Sequence, residues 1–247
     1  MRRKYLIIIL IILALGIYLN RAYSYIYQKI GSANLPPVSR MGIYIIDNAN
    51  AGQNITYVAL GDSLTAGAGV EQYQQSYPYL LAQKIAEAKK SKVTLKILAI
   101  PGEKTADLIN DLLPAAIADQ PEVITLLIGV NDIHGFIFKA DWQKKYEQIL
   151  RELTQKTTAK IYLINLPEIG ANNLLLPPYN YYFRAVTKKF NKVIKELASQ
   201  YNLAYIDLAT PTADLFKQPG AHYAADFFHP SAAGYALWAQ IIYADLH

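Results

Sequence analysis

The chain has 247 residues, 53% of them apolar, no cysteine and a formal net charge of +5. The lack of cysteine excludes disulfides, thiolate metal sites and a cysteine nucleophile. Residues 1–46 hold Arg2, Arg3, Lys4, Arg21, Lys29 and Arg40 and no acid, which leaves residues 47–247 at −1; a folded part this close to neutral argues against the basic face that nucleic-acid binding requires.

The first predicted element is an apolar helix. Arg2, Arg3 and Lys4 precede an uncharged, mostly aliphatic run from Tyr5 to Leu19, and residues 1–30 read as a signal anchor or a signal peptide. Small-residue cleavage positions are poor at Ala22-Tyr23-Ser24, and Gly31-Ser32-Ala33 lies far from the apolar core. An uncleaved single-pass membrane anchor is therefore the first expectation, and secretion after cleavage the second. Cations stay on the cytoplasmic side, so the remainder is expected outside the cytoplasm. Residues 31–54 read as a linker, stiffened by Pro36-Pro37 and containing a short apolar piece, Gly42 to Ile46.

From Ile55 onward, short runs rich in Val, Ile and Leu alternate with helical patterns. The strand candidates are Thr56–Leu60, Val93–Ile100, Val123–Ile128, Ile161–Leu166 and Leu203–Leu208, and they hardly alternate, as strands buried on both faces do. Helical spacing joins Phe183, Val186, Phe190, Val193, Ile194 and Leu197, and again Tyr146, Ile149, Leu150 and Leu153. A last helix is expected from Ser231 to Ala244. The pattern is α/β: a mostly parallel five-stranded sheet covered by helices on both faces and preceded by the membrane helix.

In such a sheet ligands bind beyond the carboxyl ends of the strands. The first candidate strand ends in Gly61-Asp62-Ser63, the second in IPGEKT with Gly102, the third in GVNDIHG with Asn131 and Asp132. In a flavodoxin-like strand order the second and third strands flank the first, and these three ends converge. Ser63 is then either an ordinary turn residue or a nucleophile. Backbone N–H groups of Ser63 and Gly102 and the amide of Asn131 are candidate donors to a developing oxyanion, helped by any helix that starts behind Ser63. Four histidines are available as a base, His134, His222, His229 and His247; His229 has Asp226 three residues before it, a spacing that one short turn can hold, and the two are either an ordinary surface turn pair or a functional one. That pair can orient an imidazole and leave one nitrogen free to take a serine proton. Asp62 and Asp132 read as residues that order their turns, Thr105 as the cap of a helix beginning TADLINDLL, and His134 and His222 as surface histidines.

Gly61-Asp62-Ser63-Leu64 resembles the GDSL motif of the SGNH hydrolase family. Ser63, Gly102, Asn131 and His229 match the four residues that name that family, in order. GVND resembles its GxND block, and DFFH, Asp226 to His229, its DxxH block near the C-terminus. The resemblance covers roughly residues 55–247 and implies a three-layer α/β/α domain that hydrolyses an ester. It implies Ser63 as nucleophile, His229 as base and Asp226 as its orienting group, with Ser63, Gly102 and Asn131 forming the oxyanion hole. No cofactor and no metal are expected. The expected partners are a small-molecule or lipid ester as substrate and the membrane through the N-terminal helix. The apolar loops Glu168–Phe183 and His134–Phe138 are placed to bind an acyl chain, touch the membrane or pack on the linker. An esterase or lysophospholipase-like acylhydrolase is the first reading and a carbohydrate O-deacetylase acting on envelope polysaccharide the second. A tethered binding module that has lost activity is the third.

Overall fold

A computed structural model describes residues 2–36, 38, 41–47 and 52–246. Helix α1 (Arg2–Ser32) is followed by β1 (Met41–Ile46) and β2 (Asn54–Gly61), a single 3₁₀ turn at Tyr73–Gln75, α2 (Tyr77–Lys89) and β3 (Lys92–Ala99). Then come α3 (Thr105–Asp111), α4 (Leu113–Ala118), β4 (Val123–Leu127), α5 (Val130–His134), α6 (Lys139–Lys156) and β5 (Lys160–Ile164). The chain ends with α7 (Tyr179–Gln200), β6 (Ala204–Ile206), α8 (Ala209–Thr212) and α9 (Ala232–Ala244).

The sheet order is β1-β3-β2-β4-β5-β6. The five predicted strands all form, pair in parallel and take the expected flavodoxin-like order. The sheet has a sixth strand as well. Met41–Ile46, read from the sequence as part of a linker, is β1 and pairs antiparallel with β3 from Met41↔Leu98 to Ile46↔Val93. Its alternating exposure is that of an edge strand with one covered face. Tyr44 makes that cover, stacking on Tyr73 at 4.8 Å between ring centroids. Of the linker reading, Pro37, Ser39, Arg40 and residues 48–51 lie outside the described residues.

The strand order reverses at β2, with β3 added on one side and β4 on the other, and this distributes the helices. Right-handed crossovers that step from β2 to β3 and then from β3 back to β4 place their helices on opposite faces. Accordingly α2 packs with α9, while α3, α4, α6 and α7 pack with one another. The central strands are buried on both faces: the last five residues of β2 and the last four of β4 and of β5 are all inaccessible. Trp142 of α6 stacks on Phe190 of α7 at 4.0 Å in the core beneath.

Helix α1 has two halves. From Tyr5 to Tyr18 its large apolar residues are exposed, and it is long and apolar enough to cross a membrane. Beyond Tyr18 it docks on the domain. Ala22 and Ile26 are buried, Tyr23 donates through its hydroxyl to the carbonyl of His134 at 2.6 Å, and Tyr179 donates to the carbonyl of Leu19 at 3.1 Å. Residues 19–32 are thus a packed element of the domain rather than a loose tether.

The close fit of β2 against β4 leaves no room at Gly61. A Cβ there would run into the Leu127 carbonyl oxygen and the Thr65 hydroxyl. Gly61→Ala is expected to cost roughly 1–3 kcal/mol of stability through overpacking, read as a lowered midpoint in thermal unfolding of the detergent-solubilised protein. An unchanged midpoint would show that the β2–β4 contact is looser than its geometry implies.

Candidate active site

The turn after β2 carries Ser63. Asp62 accepts the Leu64 N–H on Oδ1 at 3.0 Å, an Asx-type turn. The carbonyls of Asp62 and Ser63 accept from Ala66 and Ala68, both at 2.9 Å. These bonds close a tight turn and do not open a helix, since the next helical residues are Tyr73–Gln75. No helix N-terminus stands directly behind Ser63, so charge at this point must be met by individual donors. The Tyr235 hydroxyl of α9 donates to the Ala68 carbonyl at 2.8 Å and ties the serine turn to the C-terminal helix.

That helix is preceded by the second part of the site. Asp226 is fully buried. Its Oδ1 accepts the backbone N–H groups of Phe228 and His229, each at 3.0 Å, and its Oδ2 bonds His229 Nδ1 at 2.6 Å. Phe227, between them, takes a φ of +57°, the left-handed conformation that turns the chain back so that carboxylate and imidazole meet. His229 Nε2 then faces Ser63 Oγ at 3.0 Å. Burial pushes the Asp226 carboxyl up, but the His229 ring N–H and the two backbone N–H groups outweigh it and hold the acid below its ordinary value. An ionised Asp226 keeps the proton on Nδ1 and leaves the Nε2 lone pair toward the serine.

The third part comes from the loops after β3 and β4. Gly102 has a φ of +87° and open space where a side chain would stand. Asn131 Nδ2 donates to the Glu103 carbonyl at 2.9 Å and lies 3.4 Å from Asp62 Oδ2. Its amide therefore sits beside residues adjacent to both Gly102 and Ser63. The two loops are joined by Asp132, whose Oδ2 accepts both the N–H and the hydroxyl of Thr105 at 2.9 Å. The Thr105 hydroxyl in turn accepts Trp142 Nε1–H at 3.0 Å. Thr105 is thus the first residue of α3 and not its cap; the carboxylate from the neighbouring loop caps the helix in its place.

Three acids here are held above their ordinary range. Burial raises Asp62 to about 7, partly offset by the Leu64 N–H. Burial also raises Glu103 to about 7, with repulsion from Asp111 adding to it. Asp132 is raised to about 6 by burial, against the pull of the Thr105 donors. Glu103 was not singled out in the sequence; its position next to Gly102 in IPGEKT was the available signal, and its Oε2 is buried without a hydrogen-bond partner.

Of the other histidines, His134 is not at the surface. It is 6% exposed, its ring lies 4.5 Å from Phe183 and 5.3 Å from Phe228, and its Nε2 has no partner. Phe228 touches the His229 ring at 4.9 Å, so His134 stands one aromatic layer from the site. His222 packs on Phe216, and its carbonyl accepts the Ser231 N–H at 2.9 Å. His247 lies outside the described residues. Among the described residues no group of three or more His, Asp or Glu is placed to hold a metal ion. A cavity of about 450 Å³ between Asn165, Arg184 and Asp207, at the ends of β5 and β6, includes none of the residues around Ser63.

A family profile described as the GDSL-like lipase/acylhydrolase family matches residues 59–237. The spore germination lipase LipC of Bacillus licheniformis is 27% identical over 209 residues, covering 75% of this chain and 93% of that protein. A lipase/acylhydrolase from Enterococcus faecalis superposes with a TM-score of 0.64 at 24% identity, covering 78% of this chain and 95% of that one. Axe2, an acetylxylan esterase from Geobacillus stearothermophilus, superposes with a TM-score of 0.62 at 17% identity, covering 80% and 95%.

His134 makes the fold sensitive to acid in a calculable direction. Burial lowers its pKa from 6.5 to about 4, so the native state holds it neutral while the unfolded chain protonates. The stability that depends on the neutral ring is complete above the unfolded value and is lost as pH falls toward the folded one, by about 1.4 kcal/mol per pH unit. His134→Leu removes this titration. Between about pH 7 and about pH 5 the variant's unfolding free energy should therefore gain on the parent's by roughly 2 kcal/mol, measured by urea denaturation. A difference independent of pH would show that the imidazole titrates alike in the folded and unfolded chain, and a difference of opposite sign that the fold holds it charged.

Proposed function

The chain belongs to the GDSL-like lipase/acylhydrolase family and is a carboxylic ester hydrolase, and from that premise we propose a serine mechanism carried by Ser63, His229 and Asp226. The observation that carries it is the continuous hydrogen-bonded series from Ser63 Oγ through both nitrogens of His229 to Asp226. Ser63 Oγ attacks the acyl carbon while His229 Nε2 takes its proton, and Asp226 stabilises the imidazolium. The carbonyl oxygen becomes an oxyanion that accepts from the Ser63 and Gly102 N–H groups and the Asn131 amide. Collapse expels the alcohol, which takes the proton from Nε2, and leaves an acyl-Ser63 ester. Water, deprotonated by the same nitrogen, attacks that ester, and the acid leaves with Ser63 restored. Every proton passes through His229.

In the same reading α1 is an uncleaved anchor and the catalytic domain lies outside the cytoplasm. Arg2, Arg3 and Lys4 ahead of the apolar run support that orientation. Retention of α1 is supported by buried Ala22 and by the Tyr23 bond to the His134 carbonyl, both of which cleavage after Ser24 would remove, and by buried Ile26, which it would leave on a frayed end. The substrate is a lipid or short-acyl ester. Exposed aromatic residues around the site favour this over a sugar acetate, the substrate class in the name of the acetylxylan esterase that shares the fold.

Ser63→Ala is expected to lower turnover of p-nitrophenyl esters by roughly 10⁴–10⁶-fold and to abolish labelling by a fluorophosphonate probe. Asn131→Ala should cost roughly 10²–10³-fold, mostly in kcat, because its donor matters when charge develops. Activity retained in Ser63→Ala would overturn the serine mechanism, and an Asn131→Ala effect confined to KM would remove Asn131 from the oxyanion hole. For the anchor, the protein should stay with membranes through a high-salt wash, and protease added to intact spheroplasts should digest the catalytic domain. Digestion only after lysis would reverse the orientation.

A further inference from the structure

The docked half of α1 runs along the loops that surround the site. Tyr18 donates to the Pro177 carbonyl at 2.7 Å, just where the freely exposed apolar stretch of the helix ends. The Tyr23 ring packs on Phe136 and on Tyr179, each at 5.3 Å, and Lys29 Nζ lies 5.6 Å over the ring of Phe227, inside the Asp226–His229 turn. The helix therefore mounts the domain rigidly, with the rim of the site next to the emerging span.

That rim is aromatic and uncovered. Phe138 is 79% exposed, Tyr181 68%, Phe136 44% and Tyr182 41%. Phe136 touches Tyr182 at 5.5 Å. Behind them a packed wall of rings leads inward, from Phe136 to Phe183 at 6.0 Å, Phe183 to His134 at 4.5 Å, His134 to Phe228 at 5.3 Å and Phe228 to His229 at 4.9 Å. Rim and base belong to one rigid body, so the position of one sets that of the other.

The length of the span decides what covers the rim. Tyr5 to Leu19 rises about 22 Å as a helix, about 8 Å short of a hydrocarbon core near 30 Å. A short span thins the bilayer locally or draws its flanking residues inward. Because the helix continues unbroken into its docked half, the residues drawn in include those bonded to it at the level of Tyr18 and Leu19. Tyr181 and Tyr182 follow Tyr179 on α7, Phe136 packs on Tyr182, and Phe138 is two residues further on; exposed Phe and Tyr match the aromatic composition of a membrane interface.

We propose that Phe136, Phe138, Tyr181 and Tyr182 sit in the interfacial layer of the membrane that α1 crosses, so that the Ser63 cleft opens onto the bilayer and takes acyl esters carried by its lipids. This rests on the reading of α1 as a membrane span and of Ser63 as nucleophile, and it adds a seating and a substrate source. An aromatic rim partly immersed spares a lipid ester full extraction into water: its acyl chains stay among their neighbours while the carbonyl reaches Ser63.

The test uses the full-length protein reconstituted in phosphatidylcholine–phosphatidylglycerol vesicles containing brominated phosphatidylcholine. Both native tryptophans, Trp142 and Trp238, are buried and supply the background. Phe138→Trp should show blue-shifted emission quenched by the brominated lipid. Lys156→Trp, on the last turn of α6 at the opposite edge of the sheet, should not. Ile11→Trp reports on the span itself. Quenching at position 11 but not at 138 would overturn the seating and leave the anchor standing; quenching at neither would remove the anchor and the seating together. Neither readout needs turnover, so loss of the esterase reading would be seen separately. Kinetically, Phe138→Ser with Tyr181→Ser should lower hydrolysis of a vesicle-embedded long-chain ester about tenfold, an orientation effect near 1.4 kcal/mol, with p-nitrophenyl acetate hydrolysis unchanged. An equal loss on both esters, or no loss on either, would overturn the proposal.

Discussion

The parallel pairing of β2 with β3 on one side and β4 on the other is the constraint from which the site follows. Parallel strands end at the same edge, so placing β2 between two neighbours brings three loop starts together: Ser63, Gly102 and Asn131. The pairing alone does not orient their polar groups. Bonds between loops do that: Asn131 to the Glu103 carbonyl and Asp132 to Thr105. A carboxylate that takes both polar hydrogens of Thr105 holds two loops in one register, and a missing member of the set would leave buried groups unpaired at a cost of about 1–3 kcal/mol each.

The acids around the site divide according to their donors. Asp226 is as deeply buried as Asp62, yet it is held below its ordinary range while Asp62 is raised to about 7. Asp226 accepts two backbone N–H groups and the imidazole; Asp62 accepts the Leu64 N–H, lies at the limit of hydrogen-bond distance from the Asn131 amide, and has Asp132 as a like-charged neighbour. Burial is the largest influence on both, and the count and charge of donors decides the sign. The arrangement keeps a negative charge in the Asp226–His229 turn and makes ionisation less favourable for the carboxyls beside Asn131.

Helix α1 bears on the same geometry. Its second half contributes Ile26 to the core and its lysine to a ring in the Asp226–His229 turn. A segment whose composition reads as a membrane address is therefore also a wall of the domain, and the orientation of the domain relative to that helix is not left to a flexible linker. The antiparallel strand β1, which returns the chain to the sheet edge, closes the same connection from the other end.

Much of this was legible in the residues themselves. Local hydrophobic periodicity located the five parallel strands and the long helices α6, α7 and α9, because burial on both faces or on one stripe leaves a mark within a few positions. The polar punctuation at Gly61-Asp62-Ser63, Gly129 to Asp132 and Asp226 to His229 marked the candidate site, because tight turns that present side chains need small and polar residues. Edge strand β1 was hidden, since Met41 to Ile46 is only six residues with one face exposed and its partner, β3, lies some fifty residues away. The burial of His134 was hidden because it comes from Phe183 and Phe228, distant in sequence, and not from its neighbours. Whether a helix starts behind Ser63 was decided by hydrogen bonds within the turn, and the cap of α3 by the Asp132 carboxylate, distant in sequence. The docking of α1 could not be read from an apolar run, because apolarity specifies removal from water and does not specify whether lipid or protein provides it.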